Sequence, residues 1–434
     1  MNTVVLPGVH AAETVVSSRA EKSVWLAWAG LIAGGCIATG VYWDISWHES
    51  IGRDTFWTPA HLLIQFGAVL AGVGSAWMIF RTSLLSRSSA RQSAVNVLGF
   101  YGSLGAFVLA WGAAAMLTSA PFDNWWHNAY GLDVKIISPP HMLLALGITG
   151  INWGAVFLIV AEMNRSEGAK RSLLQYMLLA AGGFIVIQTM TLKLEWTSRV
   201  LLHSAISYVV IGTGLLLLVE SIARASAYRW ARTIITGTYT LFALLMMWIL
   251  PLFPAQPKLG PVYQSITHMV PLPFPVLIVV PAFVLDLLWP MLQEPKEWTG
   301  LSRAVMGILA VVLAGPFILL NFLLDTLTAR PKRESWNKWL LAAMAGAIFT
   351  AILIVVEWPA AGFLMSKAAH NWALAPTDVP YFASPSSPSV RRVFVQFETT
   401  PVAFWLTMGL AFVVSVVSMR IGITYGNWMS RLRR

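Results

Sequence analysis

Apolar runs of about 20 residues recur from residue 24 to residue 422, and each is long enough to cross the roughly 30 Å hydrocarbon core of a bilayer. Only helices and closed barrels satisfy their backbone groups in lipid. These runs are continuous rather than alternating, which predicts helices. Charged residues make up 11% of the chain, against about 25% in soluble domains. The sequence therefore predicts an all-α polytopic membrane helix bundle of about ten spans.

Basic residues cluster after the second, fourth and sixth runs, a pattern typical of cytoplasmic loops. The net charge of +10 is explained by these loops, so we expect no nucleic-acid partner. The first 22 residues lack a signal-peptide pattern and are predicted to be cytoplasmic. The predicted location is the bacterial inner membrane, with the lipid bilayer as partner and both chain ends inside. The predicted spans are 24–47, 59–80, 94–118, 141–162, 172–191, 200–221, 233–253, 302–327, 339–357 and 402–422.

The predicted organisation places two similar helical hairpins before the rest of the bundle. Residues 268–292 are apolar but contain five prolines, so this segment either crosses in a broken form or is re-entrant. We favour a return to the outer face, because the later basic clusters then lie inside. The boundaries are a tail at 1–23, hairpins at 24–80 and 94–162, the remaining bundle at 172–357, an outer lid loop at 358–401, and a final span with its tail at 402–434.

An internal duplication lies in the first two outer connections. The two copies are offset by 79 residues up to the second Asp and by 80 afterwards. So many coincident His, Asp, Pro and Gly residues indicate a true repeat. The copies read Asp44-x3-His48-x3-Gly52-x-Asp54-x3-Thr58-Pro59-x-His61 and Asp123-x3-His127-x3-Gly131-x-Asp133-x4-Ser138-Pro139-x-His141.

The spacing of the first copy brings a carboxylate and two imidazoles together. Asp44 and His48 are four residues apart and share one helix face. Thr58 is a predicted N-cap with Pro59 at the first helical position, so His61 lies in the first turn of the returning helix. Such a set of nitrogen and oxygen ligands with open positions suits copper, iron or zinc.

The second copy predicts the same arrangement for Asp123, His127 and His141. Asp54 and Asp133 are predicted to orient an imidazole or to act as further ligands. Whether the two copies form separate sites or one shared site is left open by the sequence. The single cysteine, Cys36, excludes disulfides and thiolate clusters within the chain.

The motif Asp44-x3-His48-x12-His61 resembles the metal-binding spacing of the C subunit of copper membrane monooxygenases, the family of particulate methane and ammonia monooxygenases. The match covers some 18 residues, and the second copy has thirteen intervening residues in place of twelve. The resemblance implies copper as cofactor, an oxidoreductase activity on a small apolar substrate, and other membrane subunits or a homo-oligomer as partners.

Four alternatives remain at this stage. The Asp and His residues can hydrogen-bond one another as helix-end structure, or line a metal-free proton or substrate pathway. The chain can also be a transporter or metal-handling protein, or a subunit without chemistry in an oxidoreductase complex. His203, His268 and His370 are further candidates for the cluster at the outer face.

Overall fold

A computed structural model describes residues 8–52, 57–85, 91, 94–131, 138–293, 332–369 and 379–433. Almost all of this structure is helical, which confirms the all-α prediction. One small antiparallel hairpin joins β1 (Val95–Val97) to β2 (Phe100–Gly102). The helices are α1 Gly8–Ser50, α2 Pro59–Phe80, α3 Leu104–Tyr130, α4 Pro139–Met163, α5 Gly168–Leu192, α6 Ala205–Ser226, α7 Ala231–Ile249, α8 Val279–Gln293, α9 Lys332–Leu364, α10 Pro388–Arg391 and α11 Pro401–Met429.

Nine helical stretches in the described ranges are long and apolar enough to cross a membrane. The chain is therefore a multi-pass helical membrane protein. The predicted span 302–327 lies outside the described residues. The nine stretches are Val24–Ser50, Pro59–Leu85, Leu104–Tyr130, Pro139–Met163, Gly168–Leu192, Ala205–Ser226, Ala231–Leu252, Lys338–Leu364 and Pro401–Met429.

Two predicted span boundaries were wrong at their starts. The third span was placed at 94–118, but the strand hairpin occupies 95–102 and the helix begins at Leu104, where the Ser103 side chain accepts from Ala106 N. The sixth span was placed at 200–221, but its helix begins at Ala205. In both cases the apolar run continues through residues that precede the helix, so hydropathy alone could not locate its first turn.

The chain divides into two compact units. Unit 1 comprises Met1–Ile37, Leu62–Ala181 and Arg431–Arg434, and unit 2 comprises Ala38–His61 and Gly182–Ser430. Within unit 1, α3 and α4 approach so closely that a Cβ at Gly112 would lie 2.5 Å from a backbone nitrogen of α4. Small residues permit such contact between membrane helices.

In unit 2, the proline-rich segment crosses alongside α7 instead of turning back. Its residue Val276 donates its N–H to the Tyr239 hydroxyl, in the middle of α7. Farther along the chain, Asp286 in α8 bonds Arg232, in the first turn of α7. The segment therefore runs antiparallel to α7 as far as its start. The favoured return to the outer face was wrong, and the crossing is extended in one half and helical in the other.

The extended half needs partners outside a helix for its backbone groups. At the end of α1, Ser46 donates to Val270 O at 2.6 Å, and Val270 N donates to Ser50 Oγ at 2.7 Å.

In each unit we call the end that carries the Asp/His residues the motif end and the opposite end the basic end. The basic end of unit 2 carries Arg224 and Arg232.

Candidate functional site

The first Asp/His copy lies entirely in unit 2. Asp44 and His48 occupy successive turns of α1, which ends at Ser50. Gly52 follows with φ of +91°, a left-handed backbone conformation that a side chain would strain. His61 lies in the first turn of α2, and its N–H faces Thr58 Oγ1 at 3.4 Å. The predicted helix–turn–helix geometry is therefore present.

The second copy lies entirely in unit 1 and repeats this local structure. Gly131 ends α3 with φ of +92°, and its N–H donates to His127 O. Ser138 is the N-cap of α4, and its hydroxyl accepts from His141 N at 3.4 Å. Each turn glycine and each cap therefore has the role that the repeat predicts.

The duplication extends into helix packing. A Cβ added at Gly67 in α2 would lie 2.9 Å from Ala33 O, and one at Gly147 in α4 would lie 2.9 Å from Gly112 O. These two pairs are related by the same repeat offset as the Asp and His residues. The repeat is thus a packed helical hairpin rather than a loop motif alone.

Each aspartate contacts both histidines of its own copy. In the first copy, His61 Nε2 lies 3.1 Å from Asp44 Oδ1, and His48 Nε2 lies 3.9 Å from Asp44 Oδ2. His48 is the most open of the three, with 52% of its side chain exposed. The structure therefore brings the three predicted residues together.

The second copy has nearly the same separations. His127 Nε2 lies 3.3 Å from Asp123 Oδ2, and His141 Nε2 lies 3.8 Å from Asp123 Oδ1. All three side chains are partly exposed, between 26% and 36%. A solute can therefore reach the group without unfolding of the hairpin.

One oxygen of each aspartate is buried without an aligned hydrogen bond. Within the described residues, Asp44 Oδ1 and Asp123 Oδ1 accept no hydrogen bond, although His61 Nε2 lies close to the first of them. Two indole N–H groups beside the first copy, of Trp43 and Trp47, are also buried and donate to no described group. Buried polar groups are rarely left in this state. The same carboxylate oxygen is left without a hydrogen bond in both copies.

The ring of His127 has an orientation that fixes its chemistry. Its Nδ1 lies 3.2 Å from Gly131 O, a group that can only accept, so Nδ1 carries the hydrogen of this bond. In a neutral ring, Nε2 then presents a lone pair to Asp123 Oδ2. These two atoms are 3.3 Å apart, close enough to share a proton or a cation.

Segments from elsewhere in unit 2 cover the first copy. Tyr381 N donates to Glu49 O, and the Tyr381 hydroxyl is so close to Gly52 that a Cβ there would lie 2.5 Å from it. Lys258 N donates to Ile51 O. The predicted lid loop thus contacts the turn of the first hairpin through Tyr381.

The remaining predicted residues divide into three groups. Asp54, Asp133 and His370 lie outside the described residues. His203 is stacked between the rings of Trp358 and Phe394, with centroid distances of 4.3 and 3.7 Å. The Nδ1 of His268 pairs with the neighbouring Thr267 hydroxyl at 2.9 Å. In the described part of the chain, no group of three or more His, Cys, Asp or Glu side chains has the geometry of an assembled metal centre.

Sequence reasoning missed a buried charge cluster at the basic end of unit 2. Arg232 bonds Glu220 Oε2 and Asp286 Oδ1, each at 2.8 Å, and both carboxylates are fully buried. The ring of Trp289 lies over the guanidinium, 3.5 Å from centroid to Cζ. A carboxylate and an arginine that are 54 residues apart carry no local signal of their pairing.

Sequence reasoning also missed a carboxylate that caps a helix at the motif end of unit 2. Glu398, in the loop before α11, accepts from the Ser204 hydroxyl and from the N–H groups of Ala205 and Ile206. Negative charge at a helix N-terminus is favourable because of the helix dipole and the unpaired N–H groups. The loop is therefore anchored to the first turn of α6.

These features define a multi-pass helical membrane protein with a duplicated Asp/His hairpin. No family model, curated protein or solved structure matches the chain. The functional conclusion therefore rests on the geometry of the two hairpins and on the short motif resemblance.

Proposed function

We propose that this chain is an integral membrane metalloprotein in which each Asp/His/His hairpin binds one metal ion, and that the metal is copper. The observation that carries the proposal is the second copy, where the His127 lone pair and the Asp123 carboxylate face each other at 3.3 Å. A metal ligand of this type commonly donates its other ring N–H to a backbone carbonyl, as His127 does to Gly131.

The shortest Asp–His separation in each copy is compatible with two ligands that share one ion. With metal–ligand bonds of about 2.0–2.2 Å, two ligand atoms on one ion lie about 2.9–3.6 Å apart. The shortest Asp–His separation is 3.1 Å in the first copy and 3.3 Å in the second. The longer ones, 3.9 and 3.8 Å, are those that must shorten when the ion binds. The orphaned Oδ1 atoms supply the remaining lone pairs.

Copper is proposed because imidazole and carboxylate ligands suit it and because divalent copper binds such sites more tightly than the other first-row ions. The motif resemblance favours the same metal. Iron or zinc bound at these residues would keep the metalloprotein proposal and change its chemistry. The finer proposal is a monooxygenase-like oxidoreductase, because three protein ligands leave open positions and lipid gives a small apolar substrate access.

The proposed location is the bacterial inner membrane, with both hairpin turns at the periplasmic face. The support is the distribution of basic residues, which cluster at the ends of spans opposite to the Asp/His residues. Other membrane subunits or further copies of the chain are proposed partners, on the motif resemblance alone.

Elemental analysis of the purified protein tests the proposal. We expect two copper ions per chain in the wild type after reconstitution, one in His48→Ala, one in His127→Ala and none in the double variant. His268→Ala is the matched control, because this histidine pairs with Thr267 outside both hairpins. All variants are compared at equal helical content. The absence of bound metal in the reconstituted wild type, or equal metal content in the double variant, contradicts the proposal.

A specific observation favours a second candidate, a transporter. The crossing before α8 is half extended, and α6 is kinked at Thr213 and Gly214, with φ of +76° at the glycine. Broken helices line the substrate sites of many carriers. At the kink, the Lys193 ammonium donates to the carbonyls of Ile211 and Thr213, and burial lowers the pKa of Lys193 to about 8. Copper uptake into proteoliposomes that is lost in both hairpin variants would favour the carrier.

A further inference from the structure

A buried carboxyl group lies where the broken crossing changes from extended chain to helix. Glu357 is 2% exposed and belongs to the membrane-spanning part of α9. It precedes the end of that helix at Leu364 by seven residues, which is about 10 Å along the helix axis. Its Oε1 accepts from Leu277 N at 2.6 Å, two residues before α8 begins. We call this contact the joint.

Two other buried acids in unit 2 are paired with an arginine. Glu220 and Asp286 are both fully buried, and both pair with the guanidinium of Arg232 at 2.8 Å. Among the described residues, Glu357 takes part in no ion pair; its partner is the backbone amide of Leu277. An ionised carboxylate without a cation is costly inside a membrane bundle, and such groups mark functional sites.

In the described part of the chain, two phenols and one imidazole lie near Glu357. The phenols of Tyr208 in α6 and Tyr239 in α7 both interact electrostatically with its carboxyl group. His203 stacks on the next residue of α9, Trp358, and its Nε2 lies 2.9 Å from the Trp358 carbonyl. This histidine therefore faces the backbone beside Glu357.

A small cavity in unit 2 is lined by residues that neighbour the joint and by residues at the motif end. Two of its lining residues, Tyr239 and Val276, form a hydrogen bond at the joint, in which Val276 N donates to the Tyr239 hydroxyl at 3.3 Å. Leu194 and Thr197, which follow α5 at the motif end, line the same cavity. Tyr239 therefore lines this cavity and also interacts electrostatically with the Glu357 carboxyl group.

We propose that Glu357 is a proton-binding site at the joint of the broken crossing, and that its proton occupancy sets how firmly the joint is held. A proton from water binds one oxygen of the ionised carboxylate, with no other covalent bond formed or broken. The proposal does not depend on metal binding by the Asp/His hairpins.

The coupling follows from the strength of the bond between Leu277 N–H and Glu357. A hydrogen bond to an ionised carboxylate is about twice as strong as one to a neutral acid. Protonation therefore weakens the contact that fixes the start of α8, and the extended half of the crossing becomes freer to move. Such a device would couple proton uptake to movement of a broken transmembrane segment.

Infrared spectroscopy on the detergent-solubilised full chain tests proton binding directly. We expect a protonated-carboxyl band whose intensity changes reversibly with pH. The band should be absent in Glu357→Gln and retained in Glu398→Gln, the matched control whose carboxylate also accepts backbone N–H groups. A wild-type spectrum without a titrating band, or a band that survives in Glu357→Gln, overturns the proposal.

Hydrogen exchange of the Val276–Leu277 amides tests the coupling and needs no variant. After correction for the intrinsic pH dependence, we expect exchange in the wild type to be about five-fold faster in the protonated state than in the ionised state. If the exchange rates of these two amides stay the same across the titration, the coupling between proton binding and the Leu277 contact is overturned. This measurement uses the wild type, so it remains decisive if Glu357→Gln fails to fold. Metal content should be the same in Glu357→Gln as in the wild type, so the failure of either proposal can be recognised separately.

Discussion

Replacement of Arg232 by Met is expected to lower the free energy of unfolding by about 3 kcal/mol, near the lower end of the range for breaking a buried ion pair. Arg232 neutralises two fully buried carboxylates, Glu220 and Asp286. The loss is moderated because Arg224 still bonds Glu220 at 2.7 Å, while the N–H and hydroxyl of Thr233 still bond Asp286 at 2.8 Å. The variant should therefore fold but melt early.

The assay is unfolding in mixed micelles, followed by helical circular dichroism, with Arg165→Met as the matched control. Arg165 is 43% exposed and pairs with Glu162 at 3.0 Å, a surface pair that contributes about 0–1 kcal/mol. Neutralising both acids, as Glu220→Gln with Asp286→Asn, should restore most of the stability lost in Arg232→Met. Equal stability of the Arg232 and Arg165 variants would show that the crossing does not bring Asp286 to the start of α7.

Two further predictions concern helix packing and topology. Gly112→Val should lower the free energy of unfolding by roughly 1–3 kcal/mol by overpacking, since a Cβ there would lie 2.5 Å from the backbone of α4. Gly409→Ala is the control: a Cβ at Gly409 has no atom within 4 Å, so this variant should leave thermal unfolding unchanged. A cysteine introduced as Gln293→Cys in a Cys36→Ala background should react with impermeant thiol reagents only from the cytoplasmic side; labelling from the periplasmic side would contradict a crossing that ends at the basic end.

The features that the sequence predicted well are local ones. Hydropathy identifies long helices because a membrane span needs a continuous apolar run. The Asp44/His48 contact needs only a spacing of four on one helix, and His61 joins them because Thr58 and Pro59 determine where α2 begins. A cap, a proline and a turn glycine act within a few residues, so a short motif predicts their geometry.

The broken crossing could not be predicted in this way, because its course depends on partners far along the chain. Prolines in 268–292 showed that the backbone would lack helical hydrogen bonds, but they did not show where substitutes lie. Those substitutes are Ser50 for Val270 and Glu357 for Leu277, separated from them by 220 and 80 residues. The same holds for Asp286, which lies in the apolar run but pairs with Arg232, 54 residues earlier in the chain. In a multi-pass membrane protein, an isolated acidic residue in an apolar run therefore predicts a long-range partner but does not identify it.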